Sequence, residues 1–214
     1  NHGTVLADEF GYTPLYLRYN SGRHIAANGD AFAELLETLI HHWPKPVTDL
    51  VIIGHSMGGL MARSACHHAR LAKHAWPKHL QKLIFIGTPH HGAPLERGGH
   101  WLDFVMDLSP YSAPFTQIGK MRSAGITDLR HGTITKGGHE HVALPSGVKC
   151  YALAATLGAR RSLLNERLIG DGLVPLDSAL GRHGKAPHML HFPKDRQWIG
   201  YEMGHLELLS RPEV

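Results

Sequence analysis

The stretch "DLVIIGHSMGGLMARSA" (residues 49–65) constrains the fold more than any other part of the chain. Its first half is a short, unbroken apolar run rich in β-branched residues, which suits a strand covered on both faces, as in a parallel sheet. Its second half sets Gly54, Gly58 and Gly59 around one serine and runs on as helix-like sequence to about Lys73. A strand that bends sharply into a helix crowds its own backbone, so such a bend favours glycine on either side. Gly54-His55-Ser56-Met57-Gly58 fits the pattern G-x-S-x-G, in the strand–turn–helix context that gives the pattern meaning.

The rest of the chain repeats the same alternation. "KLIFIGTP" (82–89) and "VKCYALAAT" (148–156) read as further buried strands, and "HMLHFP" (188–193) as the last one. "GHLELLS" (204–210) then starts a closing helix. Near the beginning, a helix end and a turn at Gly11 lead to a strand over Pro14–Tyr19. In "NGDAFAELLETLIHHW", Phe32, Leu35, Leu36, Leu39, Ile40 and Trp43 recur at steps of three and four, one stripe of an amphipathic helix. Asn28 or Asp30 is placed to cap its start. Pro44 and Pro46 end it.

Strands alternating with helices predict an α/β domain with a mainly parallel, doubly wound sheet. The 214 residues suffice for a single domain over 1–214. Residues 95–147 break the alternation with Gly, Pro, Ser and His, and are expected to form a cap inserted over the sheet.

Composition narrows the function classes. The net charge is only +4 and no long block of Lys or Arg occurs, so no nucleic-acid partner is expected. No run of 18 apolar residues exists, so membrane association is expected to be peripheral at most. The sequence shows no recognisable signal peptide and leaves the location unknown, with the cytoplasm only weakly favoured. Two cysteines, Cys66 and Cys150, are expected as buried free thiols. "GGHEH" (137–141) is the one His-rich segment that suggests a metal, but ligation needs His and carboxylates to converge. No metal and no cofactor is expected.

A serine hydroxyl is a poor nucleophile until a base takes its proton. The strand-to-helix bend lifts Ser56 clear of the sheet. It also aims the first N–H groups of the helix at the site, Met57 N–H foremost, as an oxyanion donor. Such a serine requires an acid and then a histidine, in that chain order, on loops after later strands. Asp171, between Gly170 and Gly172 in "IGDGLVPLDSAL", is the acid candidate, with Asp177 as its rival near a helix start. His205 in "YEMGHLELLS" is the histidine candidate. His183, in a Gly-rich loop, competes with it, while His188 and His191 belong in or beside a strand.

With Ser56, Asp171 and His205 in that order, the chain resembles an α/β-hydrolase. More narrowly it resembles the bacterial lipases and esterases related to the GPI inositol-deacylases. "LRYNSGRHIAANG", "IGHSMGGLMARSA", "LIFIGTPHHGAPLERGG" and "GDGLVPLDSALG" carry the likeness, which covers Tyr12 to Leu209. The resemblance implies carboxylic ester hydrolysis with the triad on Ser56, Asp171 and His205. It also implies an early strand ending in His-Gly, whose loop supplies a second oxyanion N–H. The sequence opens at "NHG", with His2-Gly3, so the N-terminal strands are expected to be missing from it.

The expected partner is therefore a small-molecule acyl ester or lipid, with the oligomeric state left open. His55, Trp101, Phe104 and Leu173 are the expected substrate contacts, because ligand clefts are mostly apolar. The same triad also serves thioesterases, amidases and acyltransferases, and an incomplete oxyanion hole would leave a non-catalytic binding protein.

Overall fold

The computed structural model describes residues 2–93, 123–138, 141–159 and 170–214. Four strands form one sheet in the order β1-β2-β3-β4: β1 (Leu50–His55), β2 (Leu80–Ile86), β3 (Lys149–Thr156) and β4 (Gln197–Tyr201). Every neighbouring pair is parallel. All four strands therefore end on the same edge, and loops leaving that edge can meet.

Helices α1 (His2–Phe10), α2 (Ile25–His42), α3 (Met57–Ala72), α4 (Ala124–His131) and the single turn α5 (Leu176–Ala179) accompany the sheet. The core is the sheet face under α3. Leu83, Phe85, Ala152 and Ala154 of the strands meet Leu60, Ala65 and Ala69 of the helix, all buried. Small residues on α3 bring it close to its neighbours. A Cβ on Gly29 of α2 would land on the Ser64 side chain, so the two helices cross in near backbone contact. α3 ends at Lys73, which turns left-handed at φ 59° and returns its N–H to the Ala69 carbonyl.

Three expectations for secondary structure need correction. Pro14–Tyr19 is not a strand, and Leu15 and Tyr16 are exposed. An extended segment becomes a strand only when a neighbour takes its backbone groups, and β1 is the edge of the described sheet. Residues 188–193 are not the last strand either. Leu190 and Phe192 are buried, but Pro187 and Pro193 flank them, and Leu190 N–H goes to the Gly181 carbonyl instead of a ladder. The last strand is "QWIGY" (197–201). The closing helix shrinks to one 3-10 turn, Glu207–Leu209.

α2 begins at Ile25, a turn before the expected cap. Asp128 of α4 accepts the Ile25 N–H at 2.8 Å, doing from a distant segment what a local cap would do. Of the expected stripe, Leu36 is buried and Phe32, Leu39 and Ile40 pack against the core, while Leu35 stands 48% exposed. Gly29 and Ala33 complete the buried face.

Part of the expected cap lies within the described residues, and it is lashed to α2 and α3. Ser64 donates to the Ile134 carbonyl at 2.7 Å, and the buried Arg63 donates to the Val142 carbonyl at 2.5 Å. Residues 95–122 and 139–140 of that span lie outside the described residues. Cys66 and Cys150 are free thiols. Among the described residues no helix is long and apolar enough to cross a membrane. A cavity of about 510 Å³ between Phe10, Leu15, Leu39, Trp43 and the start of β1 lies at the end of the strand opposite Ser56.

Candidate active site

Ser56 occupies the bend between β1 and α3 with φ 52° and ψ −124°. This is a left-handed conformation that a side chain rarely adopts, at a cost of about 1–3 kcal/mol. The surroundings hold it there. Its N–H donates to the Ile86 carbonyl at 2.9 Å, and its carbonyl accepts from Gly59 N at 3.1 Å. A Cβ on Gly54 would lie 2.6 Å from the Gly59 Cα, and one on Gly59 would fall on the Thr88 hydroxyl. The two glycines therefore let the strand, the helix and the end of β2 close upon one another. Gly58 has no such duty, since the nearest atom to a Cβ there is the Tyr19 hydroxyl at 4.0 Å.

Met57 is the first residue of α3, and a helix leaves its first N–H groups without partners inside the helix. These donors and the positive end of the helix dipole face the bend.

Asp171 follows β3, where Gly170 at φ +55° and Gly172 at φ +94° turn the chain sharply. Its side chain is fully buried. One oxygen accepts from Leu173 N at 3.0 Å and Val174 N at 2.8 Å. The other accepts from His205 Nδ1 at 2.6 Å. His205 N–H also donates to the Asp171 carbonyl at 3.1 Å. The carboxylate thus fixes the imidazole's orientation and places a proton on Nδ1.

The His205 ring lies between the ends of β1 and β2. A Cβ on Gly87, which is at φ +54°, would come within 2.9 Å of its Cε1. The ring of His55, one residue before Ser56, is 4.6 Å away between centroids. Its Nε2 donates to the His205 carbonyl at 3.3 Å. Burial first, and then the neighbouring His205, push the His55 pKa down to about 4, so that imidazole is neutral near pH 7.

Ser56, Asp171 and His205 thus sit on loops at one edge of the sheet, with His205 held against the residues that border Ser56. Leu173 contributes its N–H to Asp171 and packs its side chain on the core. Trp101 and Phe104 lie outside the described residues. The rivals are placed elsewhere. Asp177 pairs with Arg182 at 3.5 Å, and His183 packs between His91 and His188. His90 is buried against Phe85 and accepts from Arg63 at 3.3 Å. Burial holds its pKa well below the usual histidine value. Among the described residues no three His, Cys, Asp or Glu side chains converge to hold a metal ion.

Two contributors escaped the sequence reading. Gly87 is visible in it as the glycine after β2, but not its contact with His205. Glu207, which accepts the Gly204 N–H at 2.7 Å and so shapes the His205 turn, gave no signal at all.

A parallel sheet with a strand-to-helix bend at Ser56 and the loops of Asp171 and His205 on the same edge has the architecture of the α/β-hydrolase fold. A family model for a PGAP1-like alpha/beta domain matches residues 10–152, more than half of the chain, and the chain belongs to that family. Among solved structures it is similar to the lipase BlEst2 of Bacillus licheniformis. The mature form is 18% identical with a TM-score of 0.52, over 87% of this chain and 69% of that one. The propeptide form is 19% identical with a TM-score of 0.51, over 89% of this chain and 40% of that one. No curated protein matches. Family and fold together support a hydrolase.

Proposed function

We propose that the chain is a serine hydrolase that cleaves carboxylic esters through an acyl-enzyme. In this reading His205 Nε2 takes the Ser56 hydroxyl proton as Oγ attacks the acyl carbonyl. Asp171 holds the Nδ1–H and stabilises the imidazolium that forms. Met57 N–H, at the start of α3, hydrogen-bonds the oxyanion, and losing one such donor typically costs about a hundred- to a thousandfold in rate. His205 then returns the proton to the departing alkoxide, which leaves as the alcohol. Water, activated by the same imidazole, releases the acid and restores Ser56.

The observation that carries the reading is the buried 2.6 Å contact between His205 Nδ1 and Asp171, one neighbour away from a serine held at φ 52°. Acyl esters and lipids are the substrate class, with Trp101 and Phe104 proposed on the acyl chain.

The test is a p-nitrophenyl ester series of rising chain length on the wild type and Ser56→Ala, with fluorophosphonate labelling. Turnover confined to the wild type, with the label mapped to Ser56, is the expected result. Equal hydrolysis by both proteins overturns the reading. Strong thioester turnover with little ester turnover moves it to thioesterase chemistry.

A further inference from the structure

His55 was expected at the substrate, yet its ring is committed elsewhere. The turn bearing His205 is held toward β3 and the acid loop by two backbone bonds, His205 N–H to the Asp171 carbonyl at 3.1 Å and Met203 N–H to the Thr156 carbonyl at 3.0 Å. Within the turn, Gly204 N–H donates to the Glu207 carboxylate at 2.7 Å. From the other side comes His55, the last residue of β1 and the immediate neighbour of Ser56. Its Nε2 reaches the His205 carbonyl at 3.3 Å and its ring lies 4.6 Å from the His205 imidazole, tilted by 46°.

We propose that His55 is a positioning residue, a tie between the strand that carries the nucleophile and the turn that carries the base. The inference rests on reading Ser56, His205 and Asp171 as the reacting set. A carbonyl only accepts, so the proton of the neutral His55 ring sits on Nε2. Burial keeps the ring neutral, as it must be beside an imidazole that becomes a cation during the reaction. The His55 bond thereby limits how far the Ser56 oxygen and the His205 ring drift apart, and a misplacement of about 1 Å can cost about a hundredfold in rate.

The test compares His55→Phe, which keeps a ring and loses the donor, with His55→Gln, whose amide nitrogen reaches about as far as Nε2. His55→Phe is expected to lower kcat by about a hundredfold with KM within about twofold, and His55→Gln to recover about tenfold of that loss. If His55→Phe does not fold, His55→Asn, too short to reach the carbonyl, takes its place. A raised KM with unchanged kcat assigns His55 to the substrate and overturns the proposal, as does wild-type kcat in the donor-less variant.

A second readout needs no turnover. The His205 Nδ1 proton, identified by its loss in Asp171→Asn, is followed by NMR, and its exchange with water should quicken about tenfold in His55→Phe. Unchanged exchange overturns the tie. Absence of any ester turnover with this proton still responding overturns only the catalytic reading.

Discussion

His205 Nδ1 and an Asp171 carboxylate oxygen are 2.6 Å apart, and the two side chains are 2% and 0% exposed. Each group is costly to bury alone. Together, with Leu173 and Val174 N–H on the second carboxylate oxygen, they form a satisfied unit. Asp171→Asn keeps the shape but turns one acceptor into a donor, against either an N–H pair or the imidazole. Ester turnover should fall by about a thousandfold or more, because the imidazole loses its fixed tautomer. Steady-state kinetics on the folded variant check this.

Ser56 holds a backbone conformation that glycine adopts freely. Ser56→Gly should therefore abolish turnover while making the protein more stable than Ser56→Ala by about 1 kcal/mol. That is the strain of about 1–3 kcal/mol less the unfolded-chain freedom that glycine adds. Urea unfolding of both variants measures the difference. A glycine variant less stable than the alanine variant would show that the bend stores no strain.

The two glycines of the G-x-S-x-G pattern should behave oppositely. Gly54→Ala puts a methyl 2.6 Å from the Gly59 Cα, backbone against backbone, and should cost about 2–4 kcal/mol. Gly58→Ala meets nothing closer than 4.0 Å and lies within α3, where alanine is the better helix former by up to about 1 kcal/mol. Thermal melts of the pair separate the two roles.

Acid should weaken the fold before the carboxylates titrate. Burial lowers the pKa of His55 to about 4 and that of His90 well below the ordinary value of 6.5. Below about pH 6.5 the unfolded chain takes up protons that these folded imidazoles refuse. Stability is therefore full above that pH and declines as pH falls toward 4, by about 1 kcal/mol per unit for each group. Unfolding free energies between pH 7 and 4.5 test this, and His55→Gln should flatten the slope. A stability independent of pH over that range would contradict it.

The sequence by itself determined the elements whose signal is local. β1, β2 and β3 are continuous apolar runs, and such runs become central strands wherever both faces are covered. The bend at Ser56 is written in Gly54 and Gly59, whose missing side chains make room for backbone. Chain order and flanking glycines singled out Asp171 and His205, and the structure joins them. Tertiary structure alone decided the rest, because it depends on partners far along the chain. "QWIGY" beat "HMLHFP" as the last strand since a ladder needs free N–H groups beside β3, and apolar character cannot supply them. α2 starts where Asp128, 103 residues away from Ile25, accepts its first N–H. His55 faces His205, 150 residues later, because parallel strands bring their ends to one edge. A hydrogen bond between distant segments leaves no periodicity in either, so only the folded chain reveals it.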